Sequence, residues 1–297
     1  MNPVIEIRGL SKSFGPVRAL ADVSLELRPG ERVAFVGANG SGKTTLMRGM
    51  LGLLAVTGTV HIDGHDVRTH PERALRDVAY MPQVSPPLDA PVRELVRATA
   101  ALRGHSTART AELVATMGLE YDRIAPVRLR DLSGGTKQKL LAAMALASDP
   151  RVLVCDEPTA NLDEAAREAF FGLVAKRPAD AVLVLCSHRT EEVRALVDRV
   201  VELREGHVVR DAALAVVLPH RDACRIEVRV VAGVSLDAPL RALGFAPAEG
   251  LWLRVCTAAE KLGILAAVLA HRPLLADLRV LEMAENASWA SARPEEA

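Results

Sequence analysis

The sequence predicts a parallel α/β domain followed by a smaller α+β domain, and three observations carry that prediction. Short, continuously apolar runs at residues 33–36, 152–155 and 181–186 alternate with helical stretches, the pattern of a parallel sheet covered on both faces. A glycine-rich run closes the first of these strands and leads into a helical stretch, the setting of a phosphate-binding loop. Beyond Pro219 the pattern changes to Arg225-Ile226-Glu227-Val228-Arg229-Val230, which buries only one face of a strand.

The 297 residues suffice for two domains of ordinary size. Basic and acidic residues number 37 each, so the formal net charge is zero. That balance argues against a nucleic-acid partner, whose binders normally carry a basic surplus. A hydrophobic share of 49% excludes a disordered chain. The longest charge-free stretch, 49–62, holds three Gly and two Thr, whereas a membrane span takes roughly 18 mainly apolar residues. The N-terminus has no basic-then-apolar secretory pattern. Cys155, Cys186, Cys224 and Cys256 lack CxxC spacing and read as four reduced thiols rather than a zinc site or a disulfide framework.

Taken in order, Val4-Ile5-Glu6-Ile7 and Val23-Ser24-Leu25-Glu26-Leu27 alternate as strands, and 32–36 is a buried strand. Residues 58–64 form a strand entering an Asp63-Gly64 turn. A helical subdomain, rich in Ala, Leu and Arg, extends over about 88–148. The strands at 152–155 and 181–186 flank another helix. The first domain is expected to cover 1–218 and the second 222–285, with a polar tail at 286–297. The second domain reads as β-α-β-α-β, ferredoxin-like in pattern, with strands at 225–230, 251–255 and 278–281 and helices near 237–243 and 258–271.

The run Gly37-Ala38-Asn39-Gly40-Ser41-Gly42-Lys43-Thr44-Thr45 fits G-x-x-x-x-G-K-[ST] between a strand and a helix. Its glycines let consecutive backbone N–H groups face one anion, and the helix start adds partial positive charge. Lys43 is expected on the β- and γ-phosphates and the Thr44 hydroxyl on Mg²⁺. Asp156 and Glu157 emerge at the end of an apolar strand, where open α/β sheets place ligands. Asp156 is expected to hold Mg²⁺ and Glu157 to act as general base on the attacking water. The run Leu132-Ser133-Gly134-Gly135-Thr136-Lys137-Gln138 supplies a second glycine-bearing helix start.

With these runs in this order, residues 3–215 resemble the ATP-binding-cassette (ABC) ATPases. The resemblance implies a P-loop NTPase cassette with a helical signature subdomain, using ATP and Mg²⁺. It makes Ser133, Gly134 and Gly135 the signature that faces the partner subunit's ATP in a head-to-tail homodimer. Gln83 resembles the glutamine that touches Mg²⁺ and water, and His188 the switch histidine on the γ-phosphate. Phe14 resembles the adenine-stacking aromatic, and Asn161-Leu162-Asp163 the loop linking the two sites of the dimer. The resemblance further implies a separately encoded membrane permease and a cytoplasmic location on the inner face of the cell membrane. Export is the expected direction; a substrate-sensing importer ATPase and a soluble non-transport ABC ATPase are the alternatives. Thr136 stands where the family usually has Gln, and in this departure the chain resembles the ATPases of copper-processing exporters for nitrous-oxide reductase maturation.

Other features are expected to be structural. His61, His65 and His70 read as a solvated hairpin, and Lys137 and Lys139 as a solvated helix face. Trp252 and residues 262–270 read as packing elements of the second domain.

Overall fold

The computed structural model describes residues 2–217 and 223–282, apart from positions 232, 234 and 249. Pro219 and the tail at 286–297 lie outside the described residues. The chain divides into two compact units, Met1–Leu214 and Ala215–Ala297.

The first unit opens with an antiparallel sheet. It contains β1 (Ile5–Phe14), β2 (Val17–Leu27), β4 (Thr57–Ile62) and β5 (His65–Asp66), in the order β2-β1-β4-β5. Between its second and third strands the chain makes β3 (Arg32–Val36) and α1 (Lys43–Met50). After α2 (Pro71–Ala74) and β6 (Val78–Met81) it enters the helical segment: α3 (Val92–Arg103), α4 (Thr107–Thr116), α5 (Tyr121–Ile124) and α6 (Gly134–Leu146). It then returns through β7 (Val152–Asp156), α7 (Glu164–Ala175), β8 (Val182–Cys186), α8 (Thr190–Leu196), β9 (Arg199–Arg204) and β10 (His207–Ala213).

Six strands form the second sheet, ordered β10-β9-β3-β8-β7-β6. All run parallel except β10, which pairs antiparallel with β9. Every residue of β7 and β8 is buried, which explains their continuous apolar runs, broken only by Asp156 at the end of β7. Helix α1 packs on β1 and β2, and its Leu46, Met47 and Met50 share one core with Ile5, Leu10, Val33, Phe35 and Val184. Sheet and helix are thus locked together behind the loop joining β3 to α1. In the helical segment, Gly104 ends α3 in the left-handed conformation and Ser106 caps α4 by accepting from the Arg109 amide at 3.2 Å.

The chain passes through α9 (Leu214–Val217) into the second unit: β11 (Ala223–Val230), α10 (Asp237–Ala242), β12 (Ala246–Ala248), β13 (Leu251–Thr257), α11 (Ala258–Leu269) and β14 (Leu275–Glu282). Its four strands are antiparallel in the order β12-β13-β11-β14. Ile226 and Val228 of β11 pack with Leu240 of α10 and Ile264 and Val268 of α11, so the helices share one sheet face. The β-α-β-α-β reading is therefore corrected to βαββαβ. The missed strand, β12, has three residues with Pro247 at its centre, and it forms a sheet edge where a missing N–H is tolerated. Trp252 packs against this core, with the Arg241 guanidinium 5.4 Å from its ring centroid.

Candidate active site

The site collects at the C-terminal ends of β3, β7 and β8, beside the end of β6. At the turn from β3 into α1, Gly37 and Gly42 have φ of 142° and 105°, in the region side chains resist. A Cβ on Gly37 would lie 2.2 Å from the Leu203 carbonyl oxygen, and one on Gly42 2.4 Å from that of Ala19. No side chain caps α1, so its first amides face the loop. The Lys43 ammonium folds over that loop and donates to the carbonyls of Gly37 (2.8 Å) and Ala38 (2.9 Å). Ser41 is buried, and its hydroxyl has no hydrogen-bond partner.

A cavity of about 310 Å³ opens over this loop. Phe14, Asn39, Gly40, Gly42, Lys43, Thr44, Thr45, Gln83, Asp156 and Glu157 line it, together with Ala19 and Cys186, which sequence reasoning does not single out. Phe14 is half exposed and has the Lys12 ammonium 5.1 Å from its ring centroid. Asp156 is 1% exposed, and neither of its carboxylate oxygens has a hydrogen-bond partner. Burial raises its pKa, and the Glu157 charge adds to that; the Cys186 and Thr44 side chains and the Arg48 charge oppose it. An orphaned, desolvated carboxylate beside a threonine hydroxyl and a glutamine amide is a hard oxygen donor set, so these residues fit Mg²⁺.

Glu157 takes φ of 50°, unusual for a residue with a side chain and a form of strain that gathers at functional sites. Its amide donates to the Cys186 carbonyl at 2.8 Å, tying the end of β7 to the end of β8. Its Oε1 lies 2.8 Å from Nδ1 of His188. A carboxylate only accepts, so Nδ1 carries the proton of this pair. Glu157 is 8% exposed, whereas the His188 side chain is 69% exposed.

The residues expected to form the signature do not line this cavity. Ser133 caps α6, with its Oγ accepting from the Thr136 amide at 3.2 Å and lying 2.8 Å from Thr136 Oγ1. A Cβ on Gly135 would lie 2.9 Å from the Asn161 carbonyl oxygen. Gln138, buried, donates to the Pro158 carbonyl at 2.9 Å. Lys139 bonds Asp163 Oδ2 at 2.7 Å, with its own side chain 12% exposed. Lys139 is therefore not on a solvated face: it ties α6 to the cap of α7, where Asp163 Oδ1 accepts from the Ala166 amide at 2.9 Å. Leu162 is buried within its own chain, while Asn161 is exposed. Sequence reasoning also misses Glu192, fully buried, which accepts from the Thr159 hydroxyl and braces the loop after β7 against α8. The two residues stand 33 positions apart, and no local pattern joins them.

Residues 20–160 match the ABC transporter family model. The chain is 32% identical over 230 residues to the Nod factor export ATP-binding protein I of Paraburkholderia xenovorans, covering 75% of each sequence. The chain belongs to the ABC transporter ATP-binding family. It is also 35% identical over 231 residues to the phosphonates import ATP-binding protein of Anaeromyxobacter dehalogenans, covering 72% of this chain. It spans only 46% of that relative's length. A solved dimeric ATP-binding cassette in a post-hydrolysis state with ADP and phosphate superposes with a TM-score of 0.63 at 26% identity, over 71% of this chain and 98% of that one. Among the described residues no helix is long and apolar enough to cross a membrane.

Proposed function

We propose that this chain binds ATP with Mg²⁺, hydrolyses it, and as a head-to-tail homodimer energises a separately encoded membrane permease. The observation that carries the reading is the meeting of the Gly37–Thr45 loop with an orphaned Asp156 and a His188-paired Glu157. Lys43 exchanges the Gly37 and Ala38 carbonyls for phosphate oxygens, and the loop amides with the α1 N-terminus hold the remaining phosphate charge. Phe14 offers a ring face to the adenine. Thr44, Gln83 and Asp156 would hold the cation, which neutralises charge on the β- and γ-phosphates.

Glu157 orients the attacking water and accepts its proton. The water oxygen bonds to the γ-phosphorus as the bond to the β,γ-bridging oxygen breaks, leaving ADP and phosphate. His188 fixes the Glu157 carboxylate through Nδ1, and its exposed ring reaches toward the γ-phosphate. Ser133, Gly134 and Gly135 serve the partner's nucleotide, which makes Asn161–Asp163 the element that senses both sites.

Export is the favoured direction, because the export relative is matched over 75% of its length against 46% for the import relative. Import is the second reading, favoured by the higher identity to the phosphonate protein, 35% against 32%. Affinity purification from membranes in ATP tests both. A multi-span permease recovered alone supports export, and one recovered with an external binding protein supports import. Ribosomes or nucleic acid without a permease would overturn the transport reading.

A further inference from the structure

We infer that Cys224 and Cys256 form a modification site: a thiol pair that a small peroxide closes, reversibly, into a disulfide across β11 and β13. The two residues are direct register partners on adjacent antiparallel strands. Their sulfurs lie 3.3 Å apart, and each residue is 3% exposed. Both belong to the second unit's core with Ile226, Val228, Ile264 and Val268. Directly opposed residues of antiparallel strands have Cα atoms about 4.5–5.5 Å apart, inside the ~4.4–6.8 Å range a disulfide spans. Closure therefore takes a side-chain rotation, with the strands staying where they are. The 32-residue spacing hides this pairing in the sequence.

Cys155 and Cys186 are the internal contrast. They are buried on neighbouring strands, yet each is opposed by another residue: Cys155 by Leu185, and Cys186 by Asp156. Burial also pushes the Cys155 thiol up to about 12.

The chemistry balances, with hydrogen peroxide as the oxidant, as two thiols plus one hydrogen peroxide giving one disulfide and two waters. The sulfur of one cysteine attacks a peroxide oxygen, the O–O bond breaks, and a sulfenic acid forms with release of water. The second sulfur then displaces that hydroxyl, and the S–S bond forms as the second water leaves. The oxidant must be small and uncharged to reach a buried pair. Burial, then the neighbouring Cys224 thiol and Glu260, hold the Cys256 thiol up at about 11 against the pull of Arg254. Little Cys256 thiolate is therefore present at neutral pH. Once closed, the bond ties together the two interior strands, β11 and β13, and constrains the unfolded second unit.

The test treats the full chain with millimolar hydrogen peroxide, alkylates all remaining thiols in denaturant and maps the peptides. The expected result is a 224–256 cross-linked peptide two hydrogens lighter than its parts, with Cys155 and Cys186 still alkylated, and full reversal by dithiothreitol. The oxidised chain should also melt a few °C higher than the reduced one. Four alkylated thiols after treatment, or separate sulfinic acids at 224 and 256 without a cross-link, would overturn the proposal. In Cys224→Ala the cross-link should vanish. Wild-type peptide mapping decides the matter even if that variant is unstable.

Discussion

Helices α1 and α6 both begin at glycine-bearing turns, yet their first turns are built differently. At α1 the cap is Gly42 in the left-handed region, with no side chain to occupy the first amides. Lys43 hangs over the loop, and Gln83, Asp156 and Glu157 close the cavity around it. At α6 the cap is Ser133, whose hydroxyl already engages Thr136, and the neighbour of Gly134 and Gly135 is the chain's own Asn161. The first helix start opens into a cavity lined by the carboxylates of Asp156 and Glu157 and by Gln83. The second opens outside that cavity, with the Ser133 hydroxyl engaged by Thr136. The α6 start stands apart from its own chain's cavity, which is compatible with the proposed role toward a partner's nucleotide; that role itself comes from the family resemblance.

The comparison can be broken at several depths. Glu157→Gln keeps the cradle and removes the base, so phosphate release should fall about 10²–10⁴-fold while ATP still binds. Near-normal turnover would remove Glu157 from the chemistry. Lys43→Ala removes charge-assisted bonds to phosphate, and titration with a fluorescent nucleotide should show affinity down by about 10–100-fold. At α6, Thr136→Val should leave nucleotide affinity unchanged and lower turnover by roughly 3–10-fold, because Ser133 loses the hydroxyl that orients it.

Asp156→Asn should separate function from stability. The carboxylate's folded pKa is raised, so its charge costs stability above that pKa, and the cost is relieved as pH falls through it. The amide should therefore melt about 2–4 °C higher than wild type near neutral pH while losing Mg²⁺-dependent turnover. An unchanged or lowered melting temperature would mean the carboxylate is compensated within the fold.

The parts of the site on local patterns are legible in the sequence: the loop before α1, the acids ending β7 and the apolar runs of β3, β7 and β8. The edge elements are not. β6 has four residues, β12 has three, and the β9–β10 hairpin carries charged residues along much of its length, so none presents a clean period. Lys139 reads as solvated because its partner, Asp163, lies 24 positions away and only tertiary packing brings them together. The Cys224–Cys256 pairing is hidden for the same reason.

The most direct test of the shared-site account mixes two inactive chains. One carries Lys43→Ala and Glu157→Gln with its signature intact; the other carries Ser133→Ala and Gly135→Ala with its cradle intact. If each site joins the cradle of one chain to the signature of the other, mixed dimers contain one whole site, and phosphate release should reappear on mixing. Two folded variants that stay inactive together would contradict the account and confine catalysis to residues of a single chain.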